Sequence, residues 1–115
     1  MKRLAALAVF TAAVVIPADR KAPPWERSRH LGQDLYREHC VVCHDIDGKK
    51  TSKPGPSLHR LFQNEKLPLT GAKPSKDYVV VKIKFGGQLM PPFIKRMTDP
   101  EVNAVVAYIE KKGLQ

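Results

Sequence analysis

Only two cysteines occur in the 115 residues, and they stand three apart, at Cys40 and Cys43. A disulfide framework is thereby excluded, because one bridge across so short a loop constrains little of the unfolded chain. There is no second C-x-x-C and no H-x-x-x-H pair, so a zinc site would need Cys40, Cys43, His44 and His59 without the usual spacing. The βαβ pattern that accompanies a thioredoxin-like thiol pair is missing too. Long apolar runs are absent: Leu4 to Ile16 holds 13 residues, short of the ~20 a membrane-spanning helix needs. Acidic residues number 11 against 20 lysines and arginines, which leaves a formal charge of +9. No internal repeat and no nucleic-acid-binding motif accompany that charge, so nucleic acid is not expected as a partner.

What is present begins with the N-terminus. Lys2 and Arg3, the apolar run and then Pro17-Ala18 before a polar stretch have the composition of a secretory signal peptide, with cleavage expected after Ala18. Ile16, three positions before that point, is less usual than Ala. Residues 19–27 read as an extended leader or linker, since Pro23-Pro24 discourages helix. Residues 28–115 then form a single domain. Loss of residues 1–18 leaves 97 of the 115 and removes two basic residues, so the formal charge goes from +9 to +7. A chain of this size is near the lower limit for a self-sufficient core, and a cofactor is the better candidate than a disulfide to complete it.

Four segments carry local signals. Glu26 to Val42 reads as a first helix, with Ser28 as a possible cap and Leu31, Leu35 and Tyr36 at helical spacing. Residues 45–74, rich in Gly, Pro, Lys, Ser and Thr, read as loop with a short helical turn near Leu58 to Phe62. Tyr78 to Phe85 is two-sided. Its β-branched alternation slightly favours a strand, while Ser75 as cap, Asp77 near the start and Gly86-Gly87 at the end suit a helix. The last segment is a helix: Thr98 and Glu101 make a capping box, Val102, Val105, Val106 and Ile109 make one apolar stripe, and Lys111, Lys112 and Gly113 suit its end.

The chemistry sits in Cys40-Val41-Val42-Cys43-His44. Two thiols at this spacing can each add across a vinyl group on one edge of a haem, and the adjacent histidine then falls beneath the iron. C-x-x-C-H is therefore a c-type haem attachment signature. A second iron ligand is expected downstream. Met90 lies in Gly86-Gly-Gln-Leu-Met-Pro-Pro-Phe93, between a flexible approach and a rigid exit. Met97, next to Thr98, instead suits a hydrophobic staple with Val102. Met90 is thus the candidate ligand and Met97 a packing residue.

Taken in order, Gly32-x3-Tyr36-x3-Cys40, CVVCH, Gly55-Pro56-Ser57-Leu58, Met90-Pro91-Pro92-Phe93 and the capped final helix with Tyr108 resemble the bacterial class I monohaem cytochromes c, from about residue 32 to 109. The resemblance implies an all-α fold, a small cytochrome c fold of three to five helices wrapped around one covalently attached haem c. On that fold the Tyr78 to Phe85 segment is helical, and Gly32 and Tyr36 meet the last helix near Tyr108. The resemblance further implies that the Pro56 carbonyl accepts a hydrogen bond from His44 and that His44 and Met90 are the axial iron ligands. Asp45 departs from the family pattern, where Gly is common. Trp25 lies in the leader, away from the Met90 loop, so no residue is assigned to the haem propionates. His30, His39 and His59 read as surface or packing residues; His59 would replace Met90 only if the loops departed from the family's.

Iron held by both His44 and Met90 is six-coordinate and leaves no position for substrate, so the expected role is one-electron transfer rather than catalysis. Export places such a protein in the periplasm. The lysines at 49, 50, 53, 66, 73, 76, 82, 84 and 95 suit redox partners with an acidic docking face, or peripheral contact with an anionic membrane. Two roles follow: a diffusible monomeric carrier, or a haem c subunit tightly bound to a periplasmic dehydrogenase or other oxidoreductase complex.

Overall fold

The computed structural model describes residues 24–67 and 70–115. The expected signal peptide, and the leader up to residue 23, lie outside these residues. Among the described residues the chain forms three α-helices, α1 (Pro24–His39), α2 (Lys76–Phe85) and α3 (Asp99–Lys112), with one 3-10 turn at Leu61–Gln63 and no strand. The fold is all-α.

Helix α1 differs from expectation at both ends. It begins at Pro24, so residues 24–27 are helical rather than extended leader, and Ser28 lies inside the helix instead of capping it. Proline is tolerated there because a first-turn N–H has no intrahelical partner to lose. The helix also stops at His39, three residues before Val42. The Tyr36 carbonyl takes both the Cys40 N–H at 2.8 Å and the Val41 N–H at 3.0 Å, and the Cys40 carbonyl then takes Cys43 and His44 N–H at 3.1 and 2.9 Å. The C-x-x-C-H segment is therefore a tight turn hung from the end of α1.

Helix α1 packs chiefly against α3. A Cβ on Gly32 would collide with the Ala104 carbonyl oxygen and lie 3.0 Å from the Tyr108 Cβ, so only glycine lets the two backbones approach this closely. One turn on, the Tyr36 and Tyr108 rings pack tilted, with centroids 5.4 Å apart. The meeting of Gly32 and Tyr36 with the last helix near Tyr108 is found as the resemblance implies.

The α3 capping box is complete: the Thr98 N–H donates to the Glu101 carboxylate at 2.7 Å, and the Glu101 N–H donates to the Thr98 hydroxyl at 3.4 Å. Val102 and Val105 are fully buried, with Val106 and Ile109 almost so. Met97, immediately before the cap, is buried in the same cluster as Val102. That is the placement expected of a staple residue.

Tyr78 to Phe85 is helical, against its local β preference. A strand would put Val79, Val81, Ile83 and Phe85 on one face. The helix buries only Val79 and Ile83, four apart, and leaves Val81 54% and Phe85 60% exposed. Burial of those two residues, together with the Ser75 hydroxyl accepting the Tyr78 N–H at 3.1 Å, outweighs an intrinsic preference that spans only about 1 kcal/mol. The helix ends at Gly86, whose φ of 70° is left-handed. The chain then returns, and Phe93 and Ile94 N–H groups bond the Ile83 and Lys84 carbonyls at 3.0 and 3.1 Å, which satisfies acceptors that the end of α2 would otherwise leave open.

Candidate functional site

The turn after α1 brings Cys40, Cys43 and His44 together with Pro56, and hydrogen bonds fix the imidazole. The His44 Nδ1–H donates to the Pro56 carbonyl oxygen at 2.7 Å. A carbonyl only accepts, so Nδ1 carries the proton and Nε2 keeps its lone pair. That is the tautomer and ring orientation an imidazole needs to ligate a metal. Gly55 makes the arrangement sterically possible. Its N–H donates to the Cys43 carbonyl at 2.8 Å, and a Cβ there would lie 2.5 Å from His44 Cε1 and 2.7 Å from Nδ1.

The backbone carbonyl of His44 is held as well. The Tyr36 hydroxyl donates to it at 2.8 Å, and burial raises the pKa of that phenol further above its ordinary value. The Asp45 carbonyl accepts from Leu58 N–H at 2.7 Å. Its carboxylate pairs with Lys53 Nζ at 2.7 Å and accepts from the Thr51 hydroxyl at 2.6 Å. Those two hydrogen bonds hold the Asp45 carboxyl below the usual carboxylate range. Sequence reading noted Asp45 only as a departure and Lys53 only as one lysine among nine. Partners eight residues apart on an irregular loop carry no periodicity to reveal them.

Both thiols are free. Cys40 is buried in the core cluster, and burial, with a smaller contribution from Cys43, pushes its thiol up to about 11. A dithiol redox catalyst requires the opposite, a thiolate stabilised near neutral pH. The zinc alternative fares no better: among the described residues, no three His, Cys, Asp or Glu side chains converge as a metal site. His59 lines a separate polar cavity of ≈220 Å³ with Lys49, Ser57 and Asn64, and its Nδ1 is buried without a hydrogen-bond partner. His30 is exposed. His39 packs edge-on against the Phe93 ring at 5.5 Å.

Met90 comes from the opposite end of the sequence. It is partly buried against the cluster that contains Cys40. Its carbonyl accepts the Gly87 N–H at 2.9 Å, and a Cβ on Gly86 would collide with that same carbonyl. The Gly-Gly pair thus permits a tight loop that turns the chain back toward α2. Hydrogen bonds join Cys43, His44 and Pro56 into one unit, whereas Met90 reaches the shared cluster through packing alone.

Two free thiols three residues apart and an imidazole with Nε2 free make a donor set suited to a c-type haem. Exposed apolar side chains accompany it, with Val42 at 71% and, around the Met90 loop, Leu89 at 88%. The residues present fit such a group.

No curated protein matches the chain. The family model described as cytochrome C oxidase, cbb3-type, subunit III matches residues 28–109, a span that includes the attachment turn, the Met90 loop and most of α3. The chain belongs to that family, whose c-type cytochrome domain carries haem and transfers electrons.

Proposed function

We propose that this is a periplasmic monohaem electron carrier of the class I type, with haem c attached through Cys40 and Cys43 and its iron ligated by His44 Nε2 and Met90. The observation that carries the reading is the 2.7 Å bond from His44 Nδ1–H to the Pro56 carbonyl, since it commits one ring nitrogen and aims the other. When bound, the haem iron supplies a one-electron couple. The chain's own residues orient and shield it. Pro56 fixes the imidazole tautomer, Gly55 admits the ring, and Cys40 with the α1–α3 core excludes water from one side. Met90 supplies a neutral thioether, which favours ferrous iron and raises the reduction potential. Held by both His44 and Met90, the iron would have no position left for a substrate, so the domain would relay electrons and leave bond chemistry to others.

Residues 1–18 act as the signal peptide in this reading, and residues 28–115 as the cytochrome domain. No helix among the described residues is long and apolar enough to cross a membrane. The surplus of lysines favours redox partners with an acidic docking face, or peripheral contact with an anionic membrane. A second reading, a subunit bound to a larger oxidoreductase, is favoured by the match to an oxidase subunit family. Acid–acetone extraction of the denatured protein tests the attachment: haem stays with the polypeptide if Cys40 and Cys43 hold it as thioethers, and release into solvent refutes the assignment. Size exclusion of a native extract separates the two roles, because a carrier elutes alone and a subunit elutes with its enzyme.

A further inference from the structure

The attachment turn ends in backbone carbonyls that no helix ladder satisfies, and two of them share one cationic side chain as a partner. The Cys40 carbonyl takes the Cys43 and His44 N–H groups, and the Cys43 carbonyl takes the Gly55 N–H. The Val41 oxygen instead meets a cation, and the His44 oxygen, which accepts the Tyr36 hydroxyl at 2.8 Å, takes the same cation as a second and longer partner. Lys53 Nζ donates to the Val41 carbonyl at 2.6 Å and to the His44 carbonyl at 3.4 Å, reaching back 12 and 9 residues. The same ammonium meets Asp45 Oδ1 at 2.7 Å.

The ammonium is itself held in place. Thr51 donates its hydroxyl proton to the other Asp45 oxygen at 2.6 Å and accepts the Lys53 backbone N–H at 3.0 Å. Thr51 thus fixes both the carboxylate and the start of the lysine side chain. With side chains 31% and 34% exposed, Lys53 and Asp45 are screened less than a surface pair, and the pair belongs to a network that includes backbone acceptors. A fixed cation here lies against the peptide of the histidine whose Nε2 would ligate the haem iron.

We propose that Lys53 is a positioning residue of the haem-attachment turn, clamping the Val41 and His44 carbonyls with Asp45 and Thr51 as its support, and that its charge favours the reduced state of the iron. The proposal rests on the seat of haem at Cys40, Cys43 and His44. Its electrostatic half follows from charge alone. Ferric iron carries one more positive charge than ferrous iron, so a nearby cation disfavours oxidation and a nearby anion favours it.

The two members of the pair therefore have opposite signatures. Covalent haem content of the purified holoprotein is measured first, by acid–acetone extraction, because its absence from the wild type would overturn the haem seat without reference to Lys53. Midpoint potentials and melting temperatures are then compared for Lys53→Gln, Asp45→Asn and Lys53→Arg. Lys53→Gln should lower the potential and Asp45→Asn should raise it, while both lower the melting temperature. Lys53→Arg, which keeps charge and donors, should stay close to wild type in potential. Loosening of the loop alone would move both variants in the same direction, and that result, or no change in either, overturns the proposal. If Lys53→Gln fails to accumulate as holoprotein, Asp45→Asn decides: a raised potential supports the clamp and an unchanged or lowered one refutes it.

Discussion

Replacing Gly32 with alanine tests the α1–α3 crossing from which the attachment turn is suspended. In an isolated helix the change would help, since alanine is favoured over glycine by roughly 0.5–1 kcal/mol. Here the added methyl meets the Ala104 carbonyl and lies 2.8 Å from its carbon, with the Tyr108 Cβ at 3.0 Å. A carbonyl in a helix ladder cannot swing aside like a side-chain end, so α1 and α3 must part. Overpacking costs about 1–3 kcal/mol and sometimes more, so after the helix gain is subtracted the net loss is on the order of 0.5–2 kcal/mol. At about 4–8 °C per kcal/mol for a domain of this size, the melting temperature of the holoprotein should fall by roughly 2–16 °C. Thermal circular dichroism measures it. Gly48→Ala, whose Cβ would meet nothing within 4 Å, is the control and should change stability by less than about 0.5 kcal/mol. A Gly32→Ala protein that melts at or above the wild-type temperature would refute the close crossing.

Met97→Ala should cost about 2–5 kcal/mol, as for other large-to-small changes at buried sites, and leave the visible spectrum unaltered; denaturant melts with absorbance scans check both. Glu101 should contribute to acid stability. Its carboxylate accepts hydrogen bonds from the Thr98 N–H and hydroxyl, and its pKa is lowered for that reason. A depressed folded-state pKa stabilises above the unfolded value, near about 4.3 for Glu, and that contribution fades as pH falls through the folded value. Glu101→Gln should therefore lower stability at neutral pH and leave a shallower decline below that range, as pH-dependent melting would reveal. Electron exchange with an acidic redox partner should slow as salt rises, because screening tightens to about 8 Å near physiological ionic strength; stopped-flow rates indifferent to salt would reject lysine-guided docking.

How far the sequence revealed the molecule depended on whether a feature was local. Helix α3 was legible because its signals lie within the element: Thr98 and Glu101 three apart, then valines at helical spacing. His44 was legible in the C-x-x-C-H spacing, whereas its contact with the Pro56 carbonyl, found at 2.7 Å, was legible only through the family resemblance. Helix α2 was not legible from its own residues, since Val79-Val-Val81 favours a strand until two of its side chains find the core. The start of α1 was missed because Pro24 was read as breaking a helix that it in fact begins. The Lys53, Asp45 and Thr51 cluster was invisible for a different reason: it joins loop positions whose proximity only the folded turn creates.

In the proposed function Met90, rather than another side chain, would be the second protein ligand of the iron beside His44. Absorption spectroscopy of ferric Met90→Ala and Met97→Ala holoproteins tests it most directly. The weak sulfur-to-iron charge-transfer band should disappear in Met90→Ala, which should also bind exogenous ligands and show a lower reduction potential, and should persist in Met97→Ala. Loss of the band in Met97→Ala with its survival in Met90→Ala would contradict the assignment, and absence of the band from the wild-type protein itself would point to a nitrogen ligand such as His59 and remove the main support for a high-potential carrier.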